Sequence, residues 1–441
     1  MEPITPASLT LRHGGWPAVH AVALAIFAVV TTEMLPVGLM APIASSFDIA
    51  VGVAGLTISV PAMVAALFAP LIIVMAGRID RRHILAGLLV LLVAANLMAM
   101  FAASFSWLVG ARILVGFCMG GIWAIAGGLA PRLLPTKSAD LAANAAADLP
   151  TDLQTDQATP ATCRSGTHSI AHSSARATAR TVARATAVIF SGVAAASVLG
   201  VPLGALIDSL YGWRAAFGAM AAFSLVVLGL NLWTLPPLPI DQAIDPTRFK
   251  AALRLPLVRP GLMLTILLVG GHFMAYTFVT PVLLTLSAVP ASAISLLLFV
   301  YGASGIIGNF LAGMMAARRV RTLIGGIACM LAATLLGFAL RADNILNATA
   351  LLVIWGLVYG GVSVALQTWM MKAAPAAIEI VTALFVSVFN IGIAAGSFIG
   401  GRILDRFDLQ INLMAAASLA ALAFFTLLLL AINRQRPHDA L

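Results

Sequence analysis

Residues 116–123 read GFCMGGIW and residues 356–363 read GLVYGGVS, and laying one on the other decides the fold. Gly116, Gly120 and Gly121 fall on Gly356, Gly360 and Gly361 at an offset of 240. At the same offset Arg132 falls on Lys372 and Pro135 on Pro375. Farther along, Thr186, Ser191, Gly200 and Gly204 match Thr382, Ser387, Gly396 and Gly400 at an offset of only 196. The chain is thus built from two related halves. The change from 240 to 196 leaves 44 extra residues in the first half, between Pro135 and Thr186.

What surrounds the repeat is apolar. Of 441 residues, 61% are hydrophobic and only 9% are Asp, Glu, Lys or Arg, where a soluble domain carries roughly 25% charged residues. Apolar runs of about 20 residues, enough to cross a bilayer, recur from end to end. The fold class is therefore an all-α polytopic membrane protein, with twelve transmembrane helices in two pseudo-symmetric six-helix halves. The predicted spans 1 to 12 cover 19–43, 51–76, 84–103, 107–130, 186–207, 214–234, 260–285, 292–315, 322–341, 347–371, 378–401 and 410–432. They divide the chain into a tail (1–18), a first half (19–234), a linker (235–259), a second half (260–432) and a tail (433–441).

The formal net charge of +9 is a topology signal. With twelve spans both termini share one side, and that side holds 20 of the 25 Lys and Arg. Arg214, Arg341, Arg402 and Arg406 lie opposite, and Arg112 is intramembrane. The positive-inside rule makes the termini cytoplasmic, and the charge pattern gives no reason to expect nucleic acid as a partner. The N-terminal MEPITPASLTLRHGGW lacks the charged start and cleavage site of a signal peptide. Cys118, Cys163 and Cys329 show no metal, redox or disulfide spacing. There is no GxxxxGK[ST] phosphate loop and no catalytic grouping, so neither enzyme activity nor a cofactor is expected. The insertion, 136–185, is rich in Ala, Thr, Ser and Asp and has no Phe, Trp or Tyr in its polar core. It reads as a disordered loop. Headgroup or partner binding, or metal binding by Cys163, His168 and His172, are the alternatives.

Twelve spans in two halves, with four stretches of sequence, resemble the major facilitator superfamily, and within it the twelve-span drug:proton antiporters of the sugar, nucleoside and drug efflux branch. Those stretches are TTEMLPVGLMAP (31–42), RILVGFCMGG (112–121), SVLGVPLGALI (197–207) and GRIDRRHIL (77–85). The resemblance implies a carrier that works as a monomer in a bacterial cytoplasmic (inner) membrane, and a role in proton transfer for Arg112. It implies gating roles for Asp80, Arg81 and Arg82 after span 2, and for Gly200, Pro202 and Gly204 in span 5. Two departures stand out. Gly77 falls where the loop motif has Asp, leaving Asp80 one turn later as the substitute, and span 5 lacks the usual Gly-Pro followed by paired glycines.

Polar residues inside the spans point to the chemistry. Glu33 lies about 14 residues into span 1, roughly 21 Å deep and near the midplane. An ionised carboxylate there costs several kcal/mol unless paired, hydrated or protonated, and the balance of burial against a nearby cation is what a proton-loading group needs. A structural Glu in a fixed hydrogen-bond network is the alternative. Arg112 cannot lose its charge and must face a counterion, carbonyls or water, with Glu33 the natural partner. His272 falls 239 residues after Glu33, as Pro281 does after Pro42. It is a second candidate for proton coupling or for substrate hydrogen bonding. Span 10 carries Trp355, Tyr359, Ser363 and Gln367 at four-residue steps, which share one helix face. Tyr276 and Thr277 in span 7, Asn390 in span 11 and Trp123 in span 4 complete the predicted substrate-binding set, and helix packing is the competing role for each. The expected function is proton-coupled efflux of a small organic solute. Proton-coupled nutrient uptake and a non-transporting receptor or scaffold are the alternatives.

Overall fold

The computed structural model describes residues 15–75, 79–126, 129–134, 162–238 and 247–435. Twelve helices among them are long and apolar enough to cross a membrane. Spans 1 to 6 are Trp16–Ser46, Val51–Ile72, Arg81–Met100, Phe105–Trp123, Arg184–Tyr211 and Trp213–Thr234. Spans 7 to 12 are Val258–Tyr276, Ala291–Ala316, Arg318–Arg341, Ile345–Ala373, Ile380–Arg406 and Leu409–Ala431. Below, the terminal face is the side on which span 1 begins and span 12 ends, and the opposite face is the other.

The insertion departs from expectation. Residues 135–161 lie outside the described residues, but Thr162–Tyr211 is one helix, so the stretch up to Ala185 extends span 5 toward the terminal face. The physical reason is local. From Thr167 to Ser191 there is neither Gly nor Pro, alanine is the best helix former, and growth from an already formed span avoids the nucleation cost. The linker likewise holds a short helix, Thr247–Leu253.

The repeat reappears in the packing. A Cβ on Gly116 would strike the Pro61 carbonyl and one on Gly356 the Tyr301 carbonyl, while Gly120 stands against Ala65 and Gly360 against Gly305. The partners are themselves 240 apart, so spans 2 and 4 pack as spans 8 and 10 do. Gly200 lies on Thr31 and Gly204 on Leu35, while Gly396 lies on Gly270 and Gly400 on Met274. Those partners are 239 apart, the separation of Glu33 and His272. Small residues at these crossings let the backbones close up where lipid supplies no hydrophobic drive.

The halves meet along spans 2 and 11, on both sides of the depth of Glu33, and at the opposite face. Ser387 donates to the Ala66 carbonyl at 2.6 Å and Thr280 to the Val37 carbonyl at 3.2 Å. The Gly52 amide, at the start of span 2, donates to Asp405 Oδ1 at 2.8 Å at the end of span 11. Gly52 is packed so tightly on the Gly401 carbonyl and Asp405 that any side chain there would overlap both.

Candidate functional site

The site begins with two prolines. Proline has no N–H and frees the carbonyl four residues earlier. Pro36 thereby frees the Thr32 carbonyl in span 1, and Pro61 frees that of Thr57 in span 2. Arg112, fully buried, answers both. Its Nη1 donates to Thr32 O, its Nη2 to Glu33 O and its Nε to Thr57 O, each at 2.8 Å. The guanidinium thus fastens two proline-broken helices through their backbones. The expected ion pair with the Glu33 carboxylate takes a different form: the two groups are within electrostatic range, but the hydrogen bonds of Arg112 go to carbonyls.

Glu33 is 2% exposed, and its Oε1 has no hydrogen-bond partner. Asn96 of span 3 braces the same turn by donating to Thr32 Oγ1 at 3.2 Å. From the other side Gly200 and Gly204 of span 5 seat on Thr31 and Leu35, with Pro202 buried between them. The segment carrying Glu33 is therefore gripped by spans 3, 4 and 5, while part of its carboxylate is left unbonded.

Across the midline stands a stack of rings. Tyr359 lies face to face on His272 (centroids 3.2 Å apart, planes at 9°), His272 on Tyr276 (4.9 Å) and Tyr276 on Tyr301 (4.8 Å). Trp355 runs edge-on along His272, Tyr276 and Tyr301, and its indole N–H donates to His272 Nδ1 at 3.0 Å. Three of the chain's four tyrosines are in this stack. The Tyr359 hydroxyl is buried without a partner and lies within electrostatic range of Glu33. Two buried polar groups, one from each half, therefore lie near each other without hydrogen-bond partners.

The remaining predicted residues separate by location. Along the span 10 face Trp355 is buried, Tyr359 half-buried and Ser363 exposed, with Gln367 half-buried beyond them toward the terminal face. Asn390 is buried, donating to Val386 O while its Oδ1 has no partner. Thr277 shares a 2.6 Å hydrogen bond with Ser397, joining spans 7 and 11. Trp123 packs on Phe190 of span 5, apart from the stack. Asp80 caps span 3 by accepting from the Arg82 amide and also from the Leu238 amide, while the Arg81 amide donates to Leu238 O. Arg82 Nη2 donates to Leu232 O. These three residues fasten the start of the linker to their own half. Sequence reasoning missed Thr32, Thr57 and Tyr301. The spacing held the signal, since Thr32 and Thr57 stand four residues before prolines and Tyr301 stands 240 after Pro61.

The chain is similar to known proteins over almost its whole length. It is 29% identical over 408 residues, 92% of each chain, to the purine ribonucleoside efflux pump NepI of Escherichia coli O157:H7. It is 29% identical over 407 residues, again 92% of each, to that of Salmonella typhimurium LT2. Two solved structures share the fold. One is a bacterial homologue of the human lysosomal transporter Spinster, inward-facing and occupied (TM-score 0.68, 15% identity, 96% of this chain and 98% of that one). The other is the human organic anion transporter MFSD10 (TM-score 0.60, 14% identity, 93% and 98%). The family model of the Major Facilitator Superfamily matches residues 22–146 and 165–397. With twelve spans, two interlocked repeats and this match, the chain belongs to the Major Facilitator Superfamily of membrane transporters.

Proposed function

We propose that this transporter exports a purine-ribonucleoside-like solute in exchange for protons, with Glu33 as the proton-loading group. One observation carries the reading. A carboxylate buried at mid-membrane keeps an unbonded oxygen, on a segment its neighbours hold by the backbone. Such a group is free to bind and release a proton without dismantling its support. An intramembrane ionisable residue in this setting marks an ion pathway. The names of the relatives support efflux and the solute class. The ring stack opposite Glu33 suits a flat heteroaromatic base, and Tyr359, Glu33 and Asn390 offer hydrogen-bonding partners for hydroxyls.

In the proposed cycle a proton from the opposite side neutralises Glu33, and the solute leaves on that side. Reorientation carries the proton across. Its release to the terminal side restores the carboxylate that accepts the next solute. The Lys and Arg excess on the terminal face supports a cytoplasmic placement of the termini in a bacterial inner membrane, and a monomer suffices for the cycle.

His272 takes the substrate role in this scheme. With Nδ1 accepting from Trp355, the imidazole is the neutral Nε2–H tautomer, a fixed donor for a ligand acceptor. His272→Gln, whose amide nitrogen can present a donor near the Nε2 position, is expected to keep proton-coupled transport with a raised KM. His272→Phe should lose solute binding. A histidine that itself carried the proton would lose coupling in both variants, so proton release per solute measured for the glutamine variant separates the roles.

The reading is tested in acidified inside-out vesicles with a pH-sensitive dye. Adding inosine or adenosine should release lumenal protons, and sugars should not. Nucleosides that instead acidify the lumen would identify a symporter, and no response with any nucleoside would remove the solute class.

A further inference from the structure

On the outside of the second half, away from the ring stack, spans 9, 10 and 12 enclose a groove of about 400 Å³. Gly325 and Gly326 form its floor where other residues would carry side chains, and Phe424 and Leu427 form the facing wall. From Arg321 at its mouth to Cys329 is eight residues of helix, roughly 12 Å along the axis. Arg321 lies at the terminal-face end, its guanidinium 5.7 Å from the Trp369 ring. Arg318 and Arg319 are exposed beside it at the bend between spans 8 and 9, where Arg319 leaves helical geometry. The ring is anchored in turn, since Trp369 Nε1 donates to Leu257 O.

A charged mouth opening on a slot that runs into the apolar layer has the polarity of a lipid molecule. We infer that this groove holds an anionic phospholipid of the surrounding bilayer, its phosphate at Arg321 and one acyl chain lying over Gly325 and Gly326. Charge complementarity selects the occupant. A polar solute finds only apolar walls beyond the mouth, and a zwitterionic lipid forgoes the net attraction of three arginines. The guanidinium, steadied over the indole, is suited to paired hydrogen bonds with phosphate oxygens. Each basic side chain near an anionic headgroup favours it by about five-fold.

The test uses the full-length protein in phosphatidylcholine nanodiscs containing a phosphatidylglycerol with a photoactivatable group on one acyl chain. Labelled peptides are mapped by mass spectrometry. Cross-links should concentrate on residues 325–329 and 424–431, and unlabelled phosphatidylglycerol should suppress them more strongly than phosphatidylcholine, by about five-fold or more. Arg321→Gln should keep the labelling but cut the preference between competitors by about five-fold. Gly326→Leu, which fills the slot and leaves the arginines in place, should lose the groove labelling while keeping label on other lipid-facing helices. Even labelling over all such helices, equal competition by the two lipids, or an unchanged preference in Arg321→Gln would overturn the inference.

Discussion

Arg112→Leu is expected to destabilise the protein by about 2–5 kcal/mol, the cost of three buried carbonyls losing their donor at the rates seen for hydrogen bonds in membrane and soluble proteins. Thermal melting in detergent measures it. The cause can be isolated because two of those carbonyls are orphaned by Pro36 and Pro61. Converting both prolines to alanine in the Arg112→Leu background returns an N–H to Thr32 and to Thr57, and should recover at least half of the lost stability. If Arg112 served chiefly as a counterion, the proline replacements would do nothing, and Glu33→Gln would be the change that rescues. Arg112→Lys should fall between, since one ammonium cannot fork across carbonyls on two helices as a guanidinium does.

Glu33→Gln is expected to abolish accumulation while sparing exchange. One proton moving down 100 mV releases about 2.3 kcal/mol, which sustains roughly a fifty-fold gradient of a neutral solute, at about 1.4 kcal/mol per factor of ten. In proteoliposomes with an imposed potential that gradient should collapse to unity in the variant. Counterflow of labelled against unlabelled nucleoside should persist at a raised KM, because glutamine keeps the shape and a hydrogen-bonding head but, like the protonated carboxyl, holds solute more weakly. A Glu33→Gln protein that still built the gradient would end the assignment of Glu33 as the coupling group. Loss of counterflow as well would mean that Glu33 is needed for solute binding itself.

Much of this was legible in the sequence because membrane proteins write their fold in coarse terms. Run length gave the spans, the 240 offset the two halves, and the 239 offset the pairing of Glu33 with His272. The site was legible only in part. Residue type and depth flagged Glu33 and Arg112 but not how they relate, because a guanidinium has five donors and sequence does not say which acceptors reach it. The decisive acceptors were backbone atoms, which carry no residue signature except through the prolines that freed them. The stripe on span 10 was visible as spacing. That its rings would stack with Tyr276 and Tyr301 on other spans depends on tertiary approach. Thr277 and Trp123 resembled lining residues because a hydroxyl or indole reads the same whether it faces a neighbour or a cavity. The insertion misled for a simpler reason: an alanine-rich polar stretch has disordered composition in isolation and helical propensity when a span already stands at its end.

The bond between the Gly52 amide and Asp405 sits on the opposite face, where the two halves are shut. Parting spans 2 and 11 on that side must break it. A hydrogen bond to a charged acceptor is worth about 1.5–3 kcal/mol, close to the work one proton delivers across 100 mV. In the proposed proton-driven cycle one proton is enough to break this bond, which is one of several contacts that hold the halves together.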